Sequence, residues 1–240
     1  MIHDVVSEAL EFANNLLPTS NNPFDLSRFL DIEVITDKPM HNDGYLICED
    51  GCKIIFVSSK ISNYHRQKFI VSHELGHFFM HRNQLYCCER ITESISRINS
   101  TQQESEANSF ASEYLLPQLQ LFEALPDHSL HFYNISEIAN RYDVSMTLAA
   151  MKAVQLSKTA NEVLICYVGN RKKWFVSNNK SIYFNMIPSV CPVDLMTFPQ
   201  EAYVTGAWES LFSGSVCQEI FHPIPNQSLV LLSSTTPTWE

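Results

Sequence analysis

Within His73-Glu74-Leu75-Gly76-His77, two imidazoles stand four residues apart, with a carboxylate directly after the first. On a helix such positions share a face and lie about 6 Å apart along the axis. Both rings can then converge on one divalent ion at about 2.0–2.1 Å. Glu74 is turned by about 100° from His73, so it shares the ion poorly, but it can accept a proton from a water whose pKa the ion lowers to about 7. The chemistry is hydrolysis by an activated water. Two surface histidines would show the same spacing, so the surroundings decide. Phe69, Ile70, Val71, Leu75, Phe78, Phe79 and Met80 leave almost no polar face on the stretch from Tyr64 to Arg82, and a helix that is apolar all round is a buried one. Two buried imidazoles and a buried carboxylate would each cost desolvation energy. One metal ion accounts for all three.

A catalytic zinc site needs a third protein ligand and an open fourth position. The scheme H-E-x-x-H-x-x-G-x-x-H fails, because Met80 and Asn83 occupy its Gly and last His positions. His81 lies about 12 Å along the axis from His73, too far for one ion to bridge. The stretch 102–116 offers Glu104, Glu106 and Glu113. With Glu104 at zero and 100° per residue, Ala107, Phe110, Ala111, Tyr114 and Leu115 fall between about 240° and 20°, the buried arc. Glu104 sits on its edge and Asn108 follows at about 40°, whereas Glu106 and Glu113 fall near 200° and 180°, on the polar side. Glu104 is therefore the expected third ligand. Asn108 is expected to hydrogen-bond a ligand ring and set its tautomer, and Glu106 to take no part. Tyr114, His81 and Tyr86 are candidates for oxyanion or substrate contacts. Two His and one Glu suit Zn²⁺, with Mn²⁺ and Fe²⁺ as ions that accept the same ligands.

These side chains need elements to hold them. Helical spacing of Val5, Val6, Ala9, Leu10, Ala13, Leu16 and Leu17 predicts a first helix over 2–17, ended by Pro18. A short helix over 24–31 and a strand at Glu33–Thr36 follow. Gly44–Cys48 and Cys52–Ser58, separated by Glu49-Asp50-Gly51, read as a hairpin. After the Tyr64–Arg82 helix comes a polar stretch over 83–101, then a helix over 102–116 that stops at Pro117, a helical segment to about residue 125, and two helices over 135–157 with a break near Asp143. Beyond Asn161, the runs Val163–Val168, Lys173–Val176, Ser181–Phe184 and Leu229–Leu232 read as strands, with a turn at Gly169-Asn170. The fold class is α+β: a helical catalytic domain with a small sheet over 1–157, then a small strand-rich domain over 158–240.

The formal net charge is −10. Lys, Arg, Asp and Glu give 11 − 20 = −9 for residues 1–156 and 5 − 6 = −1 for 157–240. Such a surface repels phosphates and anionic lipid, so the expected partner is a protein or peptide. The pair over 135–157 resembles a helix-turn-helix, but only Lys152 follows its turn, which argues against direct DNA binding and for packing or repressor docking. The N-terminus lacks a basic, apolar leader, no run of about 18 apolar residues is present, and seven Cys show no C-x-x-C, so a cytoplasmic protein with reduced thiols is expected. Cys87-Cys88 reads as two loop thiols, and Arg171-Lys172-Lys173 with Trp174 as a solvated turn.

The stretch from Arg66 to His77, Arg66-Gln67-Lys68-Phe69-Ile70-Val71-Ser72-His73-Glu74-Leu75-Gly76-His77, is followed by Glu104-x-x-Ala107-Asn108-x-Phe110-Ala111-x-x-x-Leu115-Leu116-Pro117. Together they resemble the ImmA/IrrE family of metallopeptidases. Weaker matches are Pro23-Phe24-Asp25-Leu26, the Gly44–Ser58 hairpin, and Ile138-Ala139 with Val144-Ser145, so the resemblance spans roughly residues 5–155. Ser72 and Tyr114 depart from the usual pattern without removing a catalytic group. The resemblance implies a zincin-like, specifically gluzincin-like, core with a Glu of the second helix as third ligand, in agreement with Glu104. It also implies zinc-dependent, site-specific cleavage of a helix-turn-helix repressor that controls a mobile element, phage genes or a stress response. A non-catalytic, metal-containing anti-repressor acting by binding alone and a general housekeeping peptidase are the competing expectations. The tail beyond residue 158 lies outside the resemblance.

Overall fold

The computed structural model describes residues 2–18, 20–36, 38–49, 51–81, 93–127, 130–158, 161–197, 200–212 and 215–234. Contacts divide the chain into two compact units, Met1–Pro117 and Gln118–Glu240. Among the described residues, no helix is long and apolar enough to cross a membrane.

The first unit holds α1 (Ile2–Leu16), α2 (Pro23–Phe29), β1 (Glu33–Ile35), β2 (Gly44–Glu49), β3 (Cys52–Val57), α3 (Tyr64–Met80) and α4 (Glu93–Leu115). Asn22 caps α2 by accepting the Phe24 N–H, with Pro23 in the first turn, where its missing donor costs nothing. The sheet runs β1-β3-β2, with β1 parallel and β2 antiparallel to β3, so β2 is an outer strand. Gly51, at φ 80°, makes the hairpin turn. Asn63 caps α3 by accepting the Arg66 N–H. Ile70, Val71, Leu75 and Phe78 of α3 and Ala107, Phe110, Ala111 and Leu115 of α4 are buried. The two helices pack tightly at Gly76, where a Cβ would stand 3.1 Å from the Ala107 Cα and 3.2 Å from Phe110. Helix α4 starts at Glu93, a turn or more before the expected 102, and stops just ahead of Pro117, which disfavours helical geometry in the residue before it.

The second unit holds α5 (Gln118–Ala124), α6 (Phe132–Arg141), α7 (Met146–Leu156), β4 (Asn161–Val168), β5 (Arg171–Ser177), β6 (Glu201–Val204), β7 (Val216–Ile224) and β8 (Gln227–Ser234). The sheet runs β5-β4-β8-β7-β6, antiparallel throughout. Val163, Ile165, Tyr167, Val230 and Leu232 share a core with Trp208, Ile187 and Ile182. Strand β4 is buried from Asn161 to Tyr167, as in a sheet covered on both faces.

Three expectations are corrected here. Ser181–Phe184 is not a strand: Ile182 turns into the core, residues 184–186 form a 3₁₀ turn, and the Lys172 ammonium donates to the Phe184 and Ile187 carbonyls. Strands β6 and β7 are additional, and buried Gln218 and Glu219 obscure the pattern of β7. The helical pair groups with the C-terminal sheet, because α7 packs on β4 and β5. The hydropathy change near residue 158 is thus a change of element type, whereas the contacts divide after Pro117. Lys152, the one cation after the turn of that pair, is buried, so it offers nothing to a phosphate.

Candidate metal centre

Helix α3 turns His73 and His77 to the same side, with their Nε2 atoms 3.1 Å apart. The carboxylate of Glu104 on α4 closes the group at 3.2 Å from His73 Nε2 and 3.4 Å from His77 Nε2. The three residues offer ligand atoms within 4.8 Å of one another. The Glu104 side chain is 58% exposed, so this side of the group faces solvent.

The hydrogen bonds behind the rings decide which form they take. His73 Nδ1 donates to the Asn108 carbonyl oxygen at 3.1 Å, leaving the Nε2 lone pair to face the centre. Behind His77 stands a longer chain. Glu106 accepts from His81 Nε2 at 2.8 Å and from the Gln102 amide at 2.8 Å. With its Nε2–H given to Glu106, His81 has an Nδ1 lone pair that can accept from His77 Nδ1, 3.0 Å away. His77 is left, like His73, with its Nε2 lone pair facing inward. Two lone pairs at 3.1 Å and a carboxylate beside them repel unless a cation lies between. The donor set thus fits a divalent metal ion.

Burial, the leading cause, lowers the pKa of both rings, that of His77 to about 4 with help from His73 and His81. Both are neutral near pH 7, the form that binds metal. Burial first, and the Glu104 carboxylate second, raise Glu74 to about 8, opposed by the Leu46 backbone N–H. A cation held between the rings would offset both causes. These groups line a cleft of about 680 Å³ bordered by Gly44, Tyr45 and Leu46 of the outer strand β2. A Cβ at Gly44 would meet Ile70 at 2.4 Å, so only glycine lets β2 approach α3 here.

A model of the IrrE N-terminal-like domain, a peptidase family, matches residues 29–153. The chain belongs to this family. It is therefore a metallo-endopeptidase and uses a divalent metal ion. The chain is 30% identical to metallopeptidase ImmA of Bacillus subtilis (strain 168) over 60% of its own length and 82% of that protein. It is 28% identical to the uncharacterized immunity region protein 2 of Bacillus phage phi105, over 50% of this chain and 84% of that one. A solved structure of a Mycobacterium tuberculosis transcriptional regulator matches with a TM-score of 0.61 at 13% identity, over 95% of this chain and 75% of that one, a likeness of fold alone.

The other expected residues of this metallopeptidase are distributed unevenly. Tyr114 is not in the cleft: it is buried, stacks on Phe110 and donates to the Ser20 carbonyl at 3.3 Å. Burial and Asp25 raise its pKa. His81 borders the cleft, but both ring nitrogens are engaged by His77 and Glu106, so it is not a spare oxyanion donor. Tyr86 and Cys87-Cys88 lie outside the described residues. Glu106 overturns its expectation: it is buried, at 6% exposure, not on a polar face. At about 200° it lies only about 40° from one edge of the apolar arc, while Asn108 lies about 20° from the other. His81 follows His77 by the same four residues that separate His77 from His73, and that spacing was the available signal for a third ring on one face.

Proposed function

We propose that this metallopeptidase is a zinc endopeptidase that cleaves a helix-turn-helix transcriptional repressor. His73, His77 and Glu104 hold the zinc, and Glu74 is the general base. The observation that carries the reading is the convergence of two inward Nε2 lone pairs and a carboxylate beside a buried Glu74, at a cleft bordered by an outer strand. Zinc held there supplies Lewis acidity, polarising a scissile carbonyl and acidifying a water. Glu74 takes the proton from the attacking water and passes it to the leaving amine. Burial around Glu74 keeps it proton-avid, which suits both transfers. Asn108 and the Glu106–His81 pair keep the two ligand rings in the metal-binding tautomer. An extended substrate segment adds to β2 as a further strand, its backbone pairing with groups on that outer edge.

The repressor as substrate rests on the phage immunity-region relative, on the likeness to ImmA, and on a net charge of −10, which favours a basic protein partner over nucleic acid. The test incubates the zinc-loaded protein with helix-turn-helix repressors from its own genome, any encoded beside its gene first, and follows cleavage on a gel. Wild type cuts once and Glu74→Gln does not, while both carry equal zinc. Loss of repressor function with intact repressor in both samples would overturn the reading.

A further inference from the structure

A second convergence of metal-binding side chains lies in the unit formed by residues 118–240. Cys217 and Glu219 are two residues apart on β7 and so project from one face of the sheet. Glu201 on β6 stands directly opposite Glu219 in the antiparallel ladder. His131, the residue before α6, reaches the same face, with its Nδ1 at 2.5 Å from Glu219 Oε1. The Cys217 thiol lies 3.9 Å from Glu201 Oε1. One ligand atom from each of the four residues lies within 4.8 Å of all the others. Four ligands bound tetrahedrally at about 2.0–2.3 Å stand about 3.3–3.8 Å apart, so side-chain adjustments of about 1 Å bring all four onto one ion.

The placement is costly without a cation. Carboxylates directly opposite on neighbouring strands repel, and here Glu219 is 93% removed from solvent, since its exposure is 7%. The buried Cys217 thiol lies within reach of both. Thiolate, imidazole and two carboxylates together favour zinc over magnesium or calcium, which take oxygen alone.

We propose that His131, Glu201, Cys217 and Glu219 form a structural zinc site that shares no residue with the cleft. Four protein ligands leave no open position, as in structural rather than catalytic zinc sites. The ion ties the outer strand β6 and its neighbour β7 to the start of α6. Glu219 already makes part of that link, because its Oε2 accepts the N–H of Phe132, the first residue of α6. Binding releases the thiol proton to solvent.

The test is Co²⁺ titration of the full metal-free chain, with zinc analysis alongside. The catalytic ligands are nitrogen and oxygen only, so a thiolate-to-cobalt charge-transfer band reports the second site alone. Wild type is expected to bind two zinc ions per chain and to show the band. His73→Ala should bind one and keep the band, and Cys217→Ser should bind one and lose it. Glu201→Gln alters an exposed side chain and avoids misfolding. In a His73→Ala background it should weaken zinc binding by at least about tenfold. One zinc per chain that disappears in His73→Ala, a band that survives Cys217→Ser, or unchanged affinity in Glu201→Gln would each overturn the proposal.

Discussion

Glu74 in the cleft and Glu162 on β4 of the C-terminal sheet are both buried carboxylates held far above their ordinary range, at about 8 and about 7, with burial the leading cause in each. Their surroundings differ. Glu162 Oε1 accepts the Leu130 N–H at 2.7 Å, so its carboxylate completes the backbone hydrogen bonding of the segment leading into α6. Glu74 faces a cleft shared with two inward imidazole lone pairs and a second carboxylate. A raised pKa alone therefore does not distinguish chemistry from architecture. Convergence of several donors on a space open to solvent does.

The largest test of that contrast removes the convergence. Glu104→Ala or His77→Ala should abolish both metal binding at the cleft and peptide cleavage, measured by cobalt or zinc titration of that site and by gel. Next, Glu74→Gln should keep the metal and lose roughly 10²–10⁴ in rate, the usual worth of a general base. A Gln variant that cuts at the wild-type rate would end the assignment of Glu74. Glu106→Gln should be milder, weakening metal affinity at the cleft by about 10–100-fold, as loss of a group orienting a ligand does. Competition with a chelator measures it, and wild-type affinity would show that the His81 relay has no hold on His77.

Glu162→Gln probes the other side of the comparison. The folded-state pKa of about 7 lies above the ordinary 4.5, so between these values the native state binds more protons than the unfolded one. Stability then falls as pH rises through that window, and the penalty is complete above about pH 7. Gln can still accept the Leu130 N–H and carries no charge. The variant should be more stable than wild type by roughly 1–3 kcal/mol at pH 8 and about equal at pH 4, read from urea unfolding. Cleavage should not change. A fall in activity without loss of stability would break the division between the two carboxylates.

The grouping of His73, His77 and Glu104 was legible in the sequence because helical periodicity is regular over short distances. A four-residue spacing fixes the relation of His73 to His77, and the apolar arc of α4 puts Glu104 on its edge. Glu106 was misjudged because the same wheel draws a sharp boundary through an edge that packing leaves graded, and because a buried His81 on another helix is invisible to it. Strands β6 and β7 were missed for a related reason. Hydropathy alternation assumes apolar side chains inside, whereas Cys217, Gln218 and Glu219 are consecutive and all buried. Gln218 accepts from the Trp208 indole N–H at 2.6 Å, a partner ten residues away that no local pattern announces.

The outer position of β2 beside His73, His77 and Glu104 has a consequence for how a target would be chosen. A segment that joins β2 is read first through its N–H and C=O groups, which every sequence carries. Discrimination between targets then falls on whether a stretch can leave its own fold and extend. For a folded helical repressor, the cut is expected where the native structure frays most easily, and stabilising that stretch should protect it even with every residue around the cut bond unchanged.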